Sequence, residues 1–262
     1  MKAVLLMGGK GTRLKELGEH IPKHLLDING LTLAEHQINC FKKSGIKEFY
    51  FSVSKHPLRK ESKNEKNQQI PISELPKNEL TNVYEKMKVY FGDGSKFGVN
   101  IKYIVEEEPL GTAGWMKLIP KPKEDIFVCN GDDLLEISHN ELLKFHKKLK
   151  RERGILMTNV LSEVEDPRMF GVVILENDRI KEFKEKPKTI EEDPSKLVSV
   201  GHYIISPEVW DILPKEKKMM IEYDISPKLA KMNKLGGFVL KGKWCTTNSQ
   251  EQLEETRREW KR

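Results

Sequence analysis

Apolar residues recur along the chain in short runs set between charged stretches: Ala3–Met7, Phe49–Val53, Ile101–Val105, Ile126–Asn130, Ile155–Val160, Gly171–Leu175, Val198–Ser206 and Phe238–Leu240. Most are four to eight residues long and rich in Val, Ile or Phe, so they read as strands. Between the first two lies "LTLAEHQINCFKKSGI", where Leu33, Ile38, Phe41 and Ile46 give a helical face and Gly45 a C-terminal stop. Strand, glycine-rich loop, helix, strand repeats through the first half, which predicts an α/β fold with a mainly parallel sheet. The second half has more strands and fewer helices, as if antiparallel strands were added to one edge. No internal repeat or strong linker interrupts the chain. It reads as a single domain over 1–262, with one half at about 1–135 and another at about 136–262. The irregular stretch 55–81, with Pro57, Pro71 and Pro76 among many Lys, Glu and Asn, is a charged insertion. It is either a solvent loop or a lid over a site.

Composition narrows the class of protein. A chain of 262 residues with 37% hydrophobic content can bury a large core. No stretch approaches the roughly 18 apolar residues needed to span a bilayer, and nothing indicates export, so the expected location is the cytoplasm. Cys40, Cys129 and Cys245 are far apart and form no CxxC pair or Cys/His cluster, which argues against zinc. The net charge of +6 comes from 46 basic and 40 acidic residues that are interspersed. The densest basic stretch, "SKHPLRKESKNEKNQQ", lacks the interleaved aromatics of a nucleic-acid surface. Neither nucleic acid nor membrane is an expected partner.

The candidate chemistry begins at "MGGKGTRL" (Met7 to Leu14), directly after the first apolar run. Three glycines at a strand exit suit a backbone that wraps phosphate. The spacing fits neither common template: Leu14 stands at the third glycine of G-x-G-x-x-G, and no Gly-Lys-Ser/Thr follows. "HIPKHLLDING" then places Lys23 shortly after Arg13, a point charge beside a bidentate fork. In "VCNGDDLLE", Asp132 and Asp133 follow an apolar strand, where open α/β sheets place ligands and where Asp suits Mg²⁺. An Asp-rich turn explains the same letters. "EEEPLGTAGW" offers small residues against which a flat base or sugar can lie, or else a glycine-rich helix entry. "FGVVILENDRIKEFKEKP" ends in Glu185 and Lys186, suited to sugar hydroxyls and a phosphate, or else a solvated run on an edge strand. "GKWCTTNSQEQLEE" reads as a strand end running into a helix, with Ser249 as N-cap.

Taken in order, G-G-x-G-T-R-L, P-K-x-L-L, E-x-P-L-G-T-A-G, N-G-D, F-G-V-V…E-K-P and V-G-x-Y-I-I resemble the sugar-1-phosphate nucleotidyltransferases. The resemblance covers essentially the whole chain. It implies a Rossmann-like α/β/α sandwich with an appended sugar-binding half. It further implies transfer of a nucleotidyl group from a nucleoside triphosphate to a sugar-1-phosphate, with Mg²⁺ as cofactor. By the same resemblance, Met7, Gly8, Gly9, Gly11, Thr12, Arg13 and Gly111 hold the nucleotide. Arg13, Lys23 and Asp132 are catalytic, and Asp132 binds the metal. Gly171, Glu185 and Lys186 meet the sugar and its phosphate. "EPLGTAG" leans toward GTP with a mannose-like sugar phosphate, although uridylyl- and thymidylyltransferases share similar letters.

One departure stands out. Relatives carry W-x-D-[VI]-G-T near the C-terminus, whose Asp is a second metal carboxylate. Here "WCTTNS" puts Thr246 in its place and Asn248 in place of the glycine. Asp133 compensates, or Asp132, water and substrate phosphates suffice, or the chain is a non-catalytic homologue that binds a nucleotide sugar. The insertion 55–81 is a second departure, suited to reshaping the sugar entrance or to an oligomer contact.

Overall fold

The computed structural model describes residues 1–8, 21–55, 82–188 and 195–261. Most of the insertion 55–81 therefore lies outside the described residues. In chain order the elements begin with β1 (Lys2–Leu6), β2 (Asp27–Ile28), β3 (Leu31–Thr32), α1 (Leu33–Lys43), β4 (Glu48–Ser54), α2 (Val83–Phe91) and β5 (Asn100–Glu106). Next come α3 (Gly111–Gly114), β6 (Ile126–Asn130), β7 (Asp133–Leu135), α4 (His139–Arg153), β8 (Met157–Glu163), β9 (Gly171–Glu176) and β10 (Arg179–Glu185). The last are β11 (Leu197–Ile205), α5 (Ser226–Lys231), β12 (Leu235–Val239), β13 (Trp244–Thr246) and α6 (Gln250–Glu259). The chain divides into two compact units. The first comprises 2–109, 130–135 and 245–262; the second comprises residue 1, 110–129 and 136–244.

In the first unit β1 and β5 flank β4, all parallel, with Lys2 opposite Glu48 and Glu48 opposite Asn100. Parallel neighbours need long crossovers, and α1 and α2 lie within the two connections. These strands are apolar runs rather than alternating ones, as expected where both faces are covered. Ala3, Val4, Leu5, Phe51 and Val53 are all fully buried. Helix α1 starts at a capping box: Thr32 accepts from the Glu35 amide while the Glu35 carboxylate accepts from the Thr32 amide. Its inner face buries Leu33, Ile38 and Phe41, and Phe41 meets Phe49 edge-on at 5.8 Å. Helix α6 is capped by Ser249, as its sequence predicts. Leu253 and Trp260 pack with Leu26, Ile28, Leu33, Leu134 and Cys245. Asn29 ties the helix end down by donating to the carbonyls of Arg257 and Trp260, both at 2.8 Å.

The second unit holds a mixed sheet in the order β6-β11-β8-β12-β10-β9. Only β12 and β8 are parallel; β11 runs antiparallel to β6 and β8, and β10 to β12 and β9. The α/β class and the antiparallel character of the later strands are as read from the sequence. Helix α4 is pinned to the sheet through buried His146, whose ring nitrogens bond Thr158 Oγ1 (2.8 Å) and Ser206 Oγ (3.0 Å).

Candidate active site

In the first unit the candidate residues gather where β1 ends. Met7 is fully buried and its amide donates to Ser52 O at 2.7 Å; Gly8 O accepts from Ser54 Oγ at 3.2 Å. Gly9, Gly11, Thr12 and Arg13 lie outside the described residues. Pro22 opens a single 3₁₀ turn over Lys23–Leu25, and that turn brings Lys23 to Asp132. Lys23 Nζ lies 2.5 Å from Asp132 Oδ2, and the two side chains are only 12% and 16% exposed. Burial works to raise the Asp132 carboxyl, but the Lys23 ammonium and its hydrogen bond overcome it and hold the group below its ordinary range.

The backbone around Asp132 is fixed from two sides. Gly131 N donates to Leu6 O at 3.0 Å, and Thr247 donates to Asp132 O through both its amide (3.0 Å) and its hydroxyl (3.1 Å). A Cβ on Gly131 would lie 2.4 Å from His24 Cδ2 and 2.7 Å from Leu6 O, so N-G-D needs glycine at its centre. His24 is completely buried, and neither ring nitrogen has a hydrogen-bond partner among the described residues. Burial first, and then the Lys23 charge, push its pKa down to about 3 against the opposing pull of Asp132. The imidazole is therefore neutral. Asp133 is buried at the head of β7, and its carbonyl accepts from Gln37 Nε2 at 2.8 Å.

A divalent ion would meet the Asp132 carboxylate here. Among the described residues no three His, Cys, Asp or Glu side chains converge. Thr246 Oγ1 accepts from Asn248 Nδ2 at 2.8 Å, so the pair is neutral. Asp132 fits a cation that arrives with most of its oxygen ligands already attached, which is how Mg²⁺ behaves with phosphates and water.

In the second unit the G-T-A-G segment is laced to residues 219–222. Ala113 N donates to Met219 O (3.0 Å), Met219 N to Leu110 O (2.9 Å) and Ile221 N to Thr112 Oγ1 (2.8 Å). Gly111 has φ +80°, and a Cβ there would stand 2.4 Å from Met219 O. Two requirements, a left-handed backbone and a close approach, thus demand glycine at one position. Thr112 Oγ1 donates to Glu222 Oε2 at 2.5 Å. Residues Ile221–Ile225 form a π-helical turn, a geometry with no hydrophobic period to betray it in the sequence.

Gly171 pairs with Glu185 on one side and with Ser199 on the other. A Cβ on Gly171 would lie 2.4 Å from Phe183 Cζ and 2.9 Å from Glu185 Oε2, so the missing side chain leaves the carboxylate room. Glu185 Oε2 is buried without a partner among the described residues, while Oε1 lies 3.3 Å from Lys186 Nζ. Burial raises the Glu185 carboxyl above its usual pKa; Lys186 opposes this and Glu222 adds to it. Lys186 itself turns out of the strand at φ +47° and is 44% exposed. The predicted residues thus fall into two groups: Met7, Gly8, Lys23, Asp132, Asp133 and Thr246 in the first unit, and Gly111, Gly171, Glu185 and Lys186 in the second. Glu222 lies in no motif and was not legible as a site residue; His24, Thr247 and Tyr203 fall within the quoted motifs, but nothing there singled them out.

A family model described as Nucleotidyl transferase matches residues 2–260. Mannose-1-phosphate guanyltransferase 2 of Candida glabrata is 33% identical over 251 residues, covering 93% of this chain and 60% of that protein. The chain thus spans about 60% of the length of the curated relatives it matches. Among solved structures it is similar in fold to HddC from Yersinia pseudotuberculosis complexed with GMP-PN. That match has TM-score 0.71 and 20% identity, over 99% of both chains. A UDP-glucose pyrophosphorylase complexed with UDP-glucose gives TM-score 0.69 and 22% identity, over 98% of this chain and 97% of that one.

Proposed function

Because the chain belongs to the nucleotidyl transferase family, we propose that it joins a nucleoside triphosphate to a sugar-1-phosphate, releasing an NDP-sugar and pyrophosphate. The preferred pair in this reading is GTP with mannose-1-phosphate or a similar sugar phosphate. Its support is that the curated relatives are mannose-1-phosphate guanyltransferases. The observation that carries the reading is the Lys23–Asp132 pair: a cation and a metal-competent carboxylate, nearly buried, at the end of a parallel strand layer.

The chemistry follows from charge. An oxygen of the sugar phosphate attacks the α-phosphorus, the bond from that phosphorus to the bridging oxygen breaks, and pyrophosphate leaves with the electron pair. The nucleophile is already an anion, so no general base is required; the barrier is repulsion between two polyanions. Lys23, together with Arg13 on the glycine loop, would neutralise the triphosphate. Gly111 would let the nucleotide lie against backbone, and Gly8 belongs to the loop around it. Glu185 would accept from sugar hydroxyls while Lys186 holds the phosphate. Mg²⁺, held by Asp132, would supply positive charge to the phosphate oxygens. A cytoplasmic enzyme acting on small molecules, not on nucleic acid or membranes, belongs to the same reading. Among the described residues no helix is long and apolar enough to cross a membrane.

The test is pyrophosphate release across a matrix of nucleoside triphosphates and sugar-1-phosphates, with and without Mg²⁺. GTP with mannose-1-phosphate should give the highest kcat/KM. A different best pair overturns the substrate assignment, and silence across the matrix overturns the activity.

A further inference from the structure

Glu222 belongs to no motif, yet it sits at a junction of the second unit. It lies on the π-helical turn, an uncommon geometry concentrated at functional sites. Its carboxylate accepts from Thr112 Oγ1 at 2.5 Å and, at a longer 3.4 Å, from Tyr203 Oη on β11. Thr112 Oγ1 accepts from Ile221 N, so the one hydroxyl proton is committed to Glu222. An ionised carboxylate offers about four acceptor sites. Two are engaged, one of them weakly, and no cation pairs with Glu222 among the described residues.

The same unit presents a second acid with spare capacity. Glu185 Oε2 is buried beside bare Gly171, with no hydrogen-bond partner among the described residues. The two carboxylates sense each other's charge, and Lys186 neutralises only one of them. A buried acceptor without a donor costs free energy, so a ligand that brings donors gains it. An anionic group is repelled by this pair; neutral hydroxyls fit it.

We propose that Glu222 is a further specificity-determining residue, accepting a hydrogen bond from a hydroxyl of the sugar that Glu185 also holds. The inference rests on the reading of the chain as a sugar-1-phosphate nucleotidyltransferase. It ties the G-T-A-G segment to the sugar through one carboxylate: Thr112 orients Glu222, and Glu222 reads the sugar.

The test compares wild type with Glu222→Gln, which keeps the shape and an acceptor for Thr112 but removes the charge. The KM for mannose-1-phosphate should rise about tenfold or more, as for loss of a hydrogen bond to a charged group, with the KM for GTP changed less than about twofold. Monodeoxy mannose-1-phosphates then locate the contact. One deoxy position should penalise wild type strongly and Glu222→Gln little. Thr112→Val, which removes the orienting hydroxyl and leaves the carboxylate, should raise the sugar KM less than Glu222→Gln does. A rise in the GTP KM alone overturns the proposal. So do deoxy penalties equal in wild type and variant, or equal effects of Thr112→Val and Glu222→Gln. If wild type releases no pyrophosphate with any pair, the enzymatic reading fails by itself. A titration of mannose-1-phosphate followed by ligand-observed NMR then decides the role of Glu222: weaker binding by Glu222→Gln sustains it, and unchanged or absent binding overturns it.

Discussion

Replacing Lys23 by methionine removes the ammonium that lies 2.5 Å from Asp132 and leaves a side chain of similar length in its place. With the charge centres about 4 Å apart and an effective dielectric constant near 20, their attraction is about 4 kcal/mol. Both side chains are largely buried, so screening by salt is small, but the desolvation both groups suffer offsets a good part of that energy. About 1.5–3 kcal/mol remains, which a divalent cation approaching Asp132 must forgo in the nucleotide-free protein. At 1.4 kcal/mol per tenfold, Lys23→Met should bind Mn²⁺ about 10- to 100-fold more tightly than wild type. The assay is titration of Mn²⁺ into nucleotide-free protein, with unbound ion read by electron paramagnetic resonance. Turnover should move the opposite way and fall by orders of magnitude, because the same substitution removes a cation from the triphosphate. Tighter metal binding together with slower catalysis is the signature of a lysine that serves both groups. The reasoning fails if Mn²⁺ affinity changes less than about twofold, or if the gain persists in Lys23→Met/Asp132→Asn, where no carboxylate remains to be unmasked.

Further outcomes follow from other parts of the structure. Gly111→Ala forces alanine into φ +80° with its Cβ 2.4 Å from Met219 O; a loss of about 2–4 kcal/mol in denaturant melts is expected, and an unchanged midpoint would contradict the geometry. Buried His24 stays neutral down to about pH 3 in the folded chain, whereas the unfolded chain takes up its proton near pH 6.5. The unfolded state thus binds more protons between those values, and stability falls as pH drops from about 6.5 toward 3. His24→Leu should flatten that slope by roughly one proton, about 1.4 kcal/mol per pH unit, in urea melts at pH 6, 5 and 4; parallel slopes would show that His24 does not contribute. Thr246→Asp should tighten Mg²⁺ binding to the nucleotide-free protein in a calorimetric titration, because a carboxylate replaces the neutral hydroxyl that Asn248 now engages. Unchanged affinity would place position 246 away from the ion.

Local pattern alone determined eight of the strands and the order of chemistry along the chain. Every apolar run singled out in the sequence overlaps an observed strand, from β1 to β12; β1 and β6 are apolar residue after residue because both faces are buried, whereas Val239 of β12 is exposed. Helix α1 was legible from its apolar spacing and Gly45, and α6 from Ser249, since capping and stop signals act within one turn. Strand β10 was harder to read: in "RIKEFKE" only Ile180 is buried, and pairing with β9 and β12, not hydrophobicity, makes it a strand. What the sequence could not contain is which distant groups meet. Lys23 and Asp132 are 109 positions apart, and Thr112 and Glu222 are 110 apart. The glycines of G-T-A-G and N-G-D are readable as glycines. That Met219 O and the His24 ring are what exclude a side chain there is decided only by the folded chain. Periodicity and capping report interactions within a few residues. Ion pairs, close approaches and the π-helical turn under Glu222 arise where crossover connections return the chain to itself, and there tertiary packing sets each partner.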